Sequence, residues 1–200
     1  MEKIKFKTYH KKILSDKLTP VSIYLKLRDR FANSLLLESS DYDVNNKNFS
    51  YICCDAIASI SVKDGKISYT YPGQKKITTK IKKNESLPDI IKKFSEKFDY
   101  KNKKYNFITN GLFGYIAHEA VSHFEDLDLD KNKDGLEIPE LYYAVYKYII
   151  SVSLFNHEAH IFCHSTNNKN DIEIIDKLLK KDVPTNYNFS KKGEKNSNFT

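Results

Sequence analysis

Arginine is nearly absent from this chain of 200 residues. Arg28 and Arg30 are the arginines, and the rest of the 33 basic residues are lysine. The formal net charge is +7, yet the lysines are spread along the chain among asparagines and isoleucines. Proteins that read phosphates and base edges lean on arginine forks and on clustered basic stripes. This distribution argues against a nucleic-acid partner and places most lysines on solvated faces. Cysteine is scarce as well: the chain has three, Cys53, Cys54 and Cys163. An odd number with an adjacent pair is not a disulfide framework. Cys53 and Cys54, inside "FSYICCDAIASI", read as small apolar strand residues. No apolar run approaches the ~18 residues of a membrane-spanning helix. The opening "MEKIKFKTYHKKILSD" has neither an apolar signal core nor a small-residue cleavage site. A cytoplasmic protein without a membrane partner is therefore expected. There is no fixed-period repeat. No nucleophile with a readable base, no catalytic carboxylate pair and no cofactor box stands out.

What is present suffices for a folded domain. Hydrophobic residues make up 40%, with 14 Tyr and 12 Phe, enough to build a core and to set disorder aside. Thr19 and Pro20 open a helix over 19–31, with Ile23, Leu27 and Phe31 at helical spacing. "SLLLES" (34–39) reads as a strand after a short loop. Residues 49–62 read as a strand broken near Asp55. Asp64-Gly65 is a strong hairpin signal, and 75–81 can add a further strand. Residues 87–98 form an amphipathic helix opened by Pro88 and Asp89. The stretch 105–127 reads as strand, glycine-bearing turn and helix. Residues 141–165 read as two long strands turning near 156–158, and 170–181 as a helix with Asp171 near its start. The class is α+β, a largely antiparallel sheet with helices packed on it. A domain over 1–185 followed by a polar linker over 186–200 is expected.

Four constellations invite chemistry and fail on spacing. "DKNKDGLEIPEL" matches the first half of a calcium loop through Asp130, Asn132, Asp134 and Gly135. Its twelfth position, which should be a bidentate glutamate, is Leu141. His157, His160, Cys163 and His164 have the composition of a zinc site, but on a strand His160 and His164 share one face and Cys163 takes the other. His118 and His123 lie five apart on a predicted helix, which does not bring them to one face. Gly111 and Gly114 lack the rest of a phosphate-loop fingerprint and read as a close strand–helix approach.

One feature is left. In "SLLLESSDY" (34–42) an apolar strand runs directly into Glu38, Ser39 and Ser40, groups that need water or polar partners. Taken alone, Glu38 is most simply a strand-end carboxylate facing solvent.

Taken in order, "LTPVSIYLKLRDRF", "SLLLESSDY", "FSYICCDAIASISV", "GLFGYIAHEAVSHFEDL" and "IPELYYAVYKYIISVSLFNHEAHI" resemble the N-terminal domain of anthranilate synthase component I, over roughly residues 15–165. The large subunit of aminodeoxychorismate synthase, an enzyme of folate synthesis, is the near alternative, and a stand-alone small-molecule or metal-binding module is the alternative of another class. The resemblance implies that the strand end forms part of a feedback site for L-tryptophan, with Glu38, Ser39 and Ser40 at the polar end and Leu37 as apolar wall. It implies that the chain meets a C-terminal chorismate-binding domain of its own and a glutamine amidotransferase subunit, anthranilate synthase component II. It further implies that catalysis and magnesium belong to that C-terminal domain, leaving no cofactor and no catalytic residue in this segment. The chain departs from the family pattern just after the motif. Where relatives often carry a basic residue, it has Asn48 and Phe49, and Lys47 is the nearest base.

Overall fold

The structure is a computed structural model that describes residues 3–38, 48–82, 85–100, 105–123, 138–153, 155–181 and 193. Two strands form its spine. Strand β4 (Phe49–Lys63) and strand β9 (Leu141–Ser153) run antiparallel from Phe49↔Ser153 to Val62↔Leu141. They have 15 and 13 residues, more than twice the usual ~5–6. That length gives each of them two partners on its outer side. The first half of β4 pairs with β3 (Leu35–Leu37) and the second half with β5 (Lys66–Thr70), which carries β6 (Ile77–Lys80). The second half of β9 pairs with β10 (Glu158–Ser165), which carries β2 (Lys7–Leu14). The first half of β9 pairs with β8 (Phe113–Ile116). All eight strands are antiparallel, as the hairpin signals predict. Apart from them, β1 (Ile4–Lys5) and β7 (Phe98–Asp99) make a short parallel pair.

The turns follow their residues. Asp64 and Gly65 both have positive φ, 49° and 67°, the requirement of a type I′ turn whose twist suits a hairpin. His157 takes φ 50° at the turn between β9 and β10. The predicted break at Asp55 is a kink inside a continuous strand. Asp55 sits at φ 62°, and the register moves from Cys54↔Tyr148 through Ala56↔Tyr146 to Ala58↔Val145, so β4 carries one extra residue.

The kink reassigns faces. Ile52 and Cys54 pack beneath helix α1 (Pro20–Arg28) and helix α3 (Ile172–Leu179), in a cluster with Ile23, Leu27, Ile150 and Ile175. Strict alternation would put Ala56 on that side too. Ala56 instead joins Cys53, Phe113, Ala144, Tyr146 and Ile149 on the opposite face. Past the kink, Ala58, Ile60 and Val62 return to the helix side, beneath helix α2 (Leu87–Ser95), where Leu87, Ile90 and Phe94 meet them. Each fully buried Ile, Leu or Phe contributes about 1.5–3 kcal/mol. The hydrophobic driving force is thus concentrated on the helix-covered face. Among the described residues, no helix residue belongs to the cluster on the other face.

The helices are capped as the sequence reads. Thr19 Oγ1 accepts from the Ser22 N–H, and Ser86 Oγ accepts from the Asp89 N–H. Lys26 Nζ donates to the Leu179 carbonyl at 2.6 Å and so ties α1 to the end of α3. Asp171, at the start of α3, makes no capping bond. Its carboxylate instead accepts from Lys147 Nζ at 2.7 Å, which holds it below the usual carboxylate range. Lys147 lies beside the kink, with Asp55 4.0 Å away.

Three expectations need correction. The N-terminal segment, read only for its lack of a signal, supplies β1 and the whole edge strand β2. The first part of 105–127 is irregular rather than a strand; the strand there is β8. The helix that follows, within the described residues, is a single 3₁₀ stretch over His118–His123. The expected linker over 186–200 lies outside the described residues except at Gly193.

Gly114 marks where β8 presses onto β9. A Cβ there would stand 1.9 Å from the Tyr142 carbonyl oxygen and 2.8 Å from Tyr143 Cα. Both are backbone atoms and cannot swing aside. The close approach is therefore strand to strand, not strand to helix. Gly114→Ala should lower stability by about 1–3 kcal/mol or more, the range for overpacking, read as a drop in thermal midpoint. An unchanged midpoint would mean that β8 does not dock as described.

Candidate functional site

Helix α1 delivers the chain to β3 through a short, hydrogen-bonded exit. Ser34 Oγ donates to the Phe31 carbonyl at 2.8 Å. Asn33 takes φ 56°, and its carbonyl accepts from the buried Tyr146 hydroxyl at 2.9 Å. The register then sets Leu35 opposite Cys53, Leu36 opposite Ile52 and Leu37 opposite Tyr51. Leu36 packs under the helices, whereas Leu35 and Leu37 pack on the helix-free face. Leu37 is thus an apolar wall on that face.

Glu38 follows directly and is exposed. Among the described residues it has no hydrogen bond or ion pair. Ser39, Ser40 and Lys47 lie outside the described residues. Asn48 and Phe49 are half-buried. Phe49 stacks on Phe107 with ring centroids 4.5 Å apart, so an aromatic surface stands beside this strand end.

The helix-free face around this strand end is polar and aromatic. Residues 105–110 cross it without strand pairing, held by side chains. The Ile108 N–H donates to Tyr51 Oη at 3.3 Å, and Ser151 Oγ donates to the Ile108 carbonyl at 3.2 Å. His164 Nε2 donates to the Thr109 carbonyl at 2.8 Å, and the same ring meets Thr8 Oγ1 through Nδ1 at 2.9 Å. A carbonyl only accepts, so Nε2 carries the proton and Nδ1 accepts from the threonine hydroxyl. Tyr105 Oη lies 3.0 Å from His10 Nδ1, and His10 Nε2 lies 3.1 Å from His160 Nδ1. Farther along this face, beside Leu35, a groove of about 460 Å³ is lined by hydroxyls of Ser59, Ser61, Ser68, Thr70, Tyr115 and Tyr142.

The other constellations do not assemble. His160 and His164 share the helix-free face with Phe162, while Cys163 is buried with the helix-side core. A zinc ion cannot be reached from both. Cys53, Cys54 and Cys163 are free and buried, and burial pushes all three thiols up. Residues 130–137 of the calcium-like loop lie outside the described residues. Leu141, at its glutamate position, is fully buried in β9. His123 does not pair with His118; its Nε2 meets Glu140 Oε2 at 2.5 Å. Gly111 precedes β8, Gly114 lies within it and a 3₁₀ stretch follows, so among the described residues no α-helix opens after them as a phosphate loop requires. Among the described residues no three His, Cys, Asp or Glu side chains converge to hold a metal ion, and no helix is long and apolar enough to cross a membrane.

Sequence reasoning missed His10, Tyr51, Ser151 and Thr8 as members of this face. A signal existed for one of them. Ser151 interrupts the apolar run of β9, and a small hydroxyl in a buried strand needs a partner.

Fold and site together define an α+β domain with a helix-free sheet face and, at one strand end, a carboxylate without a partner among the described residues. No family model matches the chain. It is, however, similar to curated proteins that share one name, anthranilate synthase component 1. The relative from Lactococcus lactis is 25% identical over 149 residues, 74% of this chain. That from Arthrobacter globiformis is 27% identical over 131 residues and that from Thermus thermophilus 28% over 144. The resemblance drawn from the sequence motifs therefore holds: the chain is similar to anthranilate synthase component I over about two thirds to three quarters of its length. It spans 30%, 24% and 29% of the length of these three proteins. A solved structure of anthranilate synthase component I from Streptococcus pneumoniae aligns over 84% of this chain and 34% of its own, at 18% identity and a TM-score of 0.46. That likeness is too loose to add to the fold read from the strands.

The histidines of the helix-free face give a pH dependence. Burial holds the His164 imidazole below its ordinary value, against its bond to Thr109. Burial also lowers His160, opposed by Glu158. The folded chain thus binds fewer protons than the unfolded one. The stability these groups allow is complete above roughly pH 6.5 and is lost as pH falls below it. The urea midpoint should drop between about pH 7.5 and about pH 5, and His164→Gln should remove part of that drop. A variant with the parent's full pH dependence would show that His164 does not titrate in this way.

Proposed function

We propose that this chain is the N-terminal regulatory domain of an anthranilate synthase component I and carries part of an L-tryptophan feedback site at the end of β3. The observation that carries this reading is the sequence likeness to relatives that all bear that name. The same likeness favours it over the aminodeoxychorismate synthase alternative. The structure adds chemical compatibility. A free amino acid brings an ammonium, a carboxylate and, for tryptophan, an indole. Glu38 offers an exposed carboxylate without a partner among the described residues, Ser39 and Ser40 offer hydroxyls, and Leu37 offers an apolar wall.

The whole enzyme would convert chorismate, with ammonia released from glutamine by a partner glutaminase subunit, to anthranilate and pyruvate in the cytoplasm. Catalysis, chorismate binding and magnesium would belong to a C-terminal domain. This chain's part is to present the strand end, and its helix-free face is the surface available to that domain. Tryptophan bound between the two would act only through its differential affinity for the active and inactive arrangements. The aromatic pair of Phe49 and Phe107 stands where a base would otherwise meet the ligand's carboxylate. Recognition of that carboxylate then falls to backbone N–H groups, the serines or the other domain.

The test is an inhibition curve on the full-length enzyme. Glu38→Ala or Ser39→Ala should raise the inhibitory tryptophan concentration about tenfold or more, since a hydrogen bond to a charged group contributes about 1.5–3 kcal/mol. Turnover at saturating chorismate should be spared. Unchanged curves for both variants would reduce the strand end to a solvated edge.

A further inference from the structure

A second groove lies on the other side of the sheet and farther along β4, which pairs with β3 at Tyr51–Cys53 and with β5 at Ser59–Lys63. It has a volume of about 760 Å³, within the usual range of small-molecule pockets, ~300–1,000 Å³. Its floor is one stripe of α2. Lys93 and Phe94 follow Ile90 by three and four residues, which brings them to one helix face, and Lys97 stands just past the helix end, where its N–H donates to the Phe94 carbonyl. Ile90 and Phe94 are buried in the core beneath. Its wall is aromatic. Tyr69 ends the alternation of β5 on this side, and Tyr71 follows two residues on. Their rings are within 9° of parallel with centroids 6.2 Å apart.

The rim is basic. Lys3, Lys93 and Lys97 line the groove against Glu96 alone. Lys97 is fixed in place: its Nζ donates to the Tyr71 hydroxyl at 2.8 Å and stands 4.4 Å from the centre of that ring. An ammonium so placed keeps donors available to an incoming acceptor. Flat aromatic faces beside a positive rim suit a ligand with a planar apolar body and one negative end. They disfavour a cation, which would meet three lysines, and offer a neutral compound only the apolar half of the site.

We propose that the groove between α2 and the β5–β6 hairpin is a binding site for a small aromatic carboxylate, its ring against Tyr69 and Tyr71 and its carboxylate between Lys93 and Lys97. The site is separate from the β3 strand end and does not depend on the function proposed for it.

The experiment titrates the intact chain with 2-naphthoate, and in parallel with its neutral isostere 2-naphthamide, by calorimetry and by amide NMR. Saturable one-to-one binding of the carboxylate is expected, with the amide about fivefold weaker or more and shifts concentrated at Ile90, Phe94 and Lys97. The double variant Lys93→Gln/Lys97→Gln should weaken the carboxylate by a similar factor. Lys93→Gln alone changes an exposed helix residue and serves as the variant least able to disturb the fold, and Lys12→Gln, on the distant edge strand, should have no effect. Absence of saturation, equal affinity for the amide, or undiminished binding by both lysine variants would overturn the proposal. The ligand comparison on the unaltered chain stands even if the double variant does not fold.

Discussion

The ladder between β4 and β9 is the constraint on which the rest of the molecule depends. It is too long to be covered by one partner on each outer edge, so β3 and β5 divide one flank and β8 and β10 the other. It is also too long to run flat, because strands twist and their side chains alternate strictly. The extra residue near Asp55 resolves both difficulties. It bends the ladder and resets the alternation of the partner strand, so that Tyr148 and Val145, three apart on β9, face the helix-covered core with Cys54 and Ala58, while Ala56 and Tyr146 turn away from it. Without that reset, one half of the sheet would present its apolar residues to the wrong side. Lys147 spans the same point on the partner strand and ties it to Asp171 at the start of α3. One lysine thus links the bend to the start of α3, beside the apolar cluster that docks the helix.

The two faces of the sheet have different tasks. The helix side is closed by α1, α2 and α3 and holds most of the large buried aliphatic side chains. The other side holds Tyr51, Ser151, His160, His164 and a groove of serine and threonine hydroxyls, with residues 105–110 laid across part of it. Hydroxyls and imidazoles need partners, and the crossing segment supplies them with backbone groups. Where it ends, the strand end with Leu37 and Glu38 and the hydroxyl groove remain open among the described residues.

Much of this was readable in the sequence because local chemistry and tertiary packing agree. Thr19-Pro20 capped a helix as its residues require, Asp64-Gly65 made its hairpin, and the alternation of His160, Cys163 and His164 sorted them onto faces correctly. The failures have physical causes. The edge strand β2, "KTYHKKIL", has lysines in place of a clean apolar alternation, because an edge strand avoids association by being charged. The segment 105–112 has aromatic residues and alternation but receives side-chain rather than strand partners, a distinction set by tertiary contacts. Gly114 was legible as a close approach, but the element approached was not. The strand end at Glu38 was conspicuous as a polar group after an apolar run. Its chemistry alone, however, favours a solvated edge, and the ligand role proposed for it rests on likeness to known proteins.

Hydrogen–deuterium exchange on the longer enzyme, with and without L-tryptophan, tests the central claim most directly. If the end of β3 is part of the feedback site, peptides spanning Leu35–Glu38 and Asn48–Cys53 should exchange more slowly when tryptophan is added, while those from the α1–α3 core should not change. Inhibition by tryptophan with no added protection at the β3 end would contradict the account.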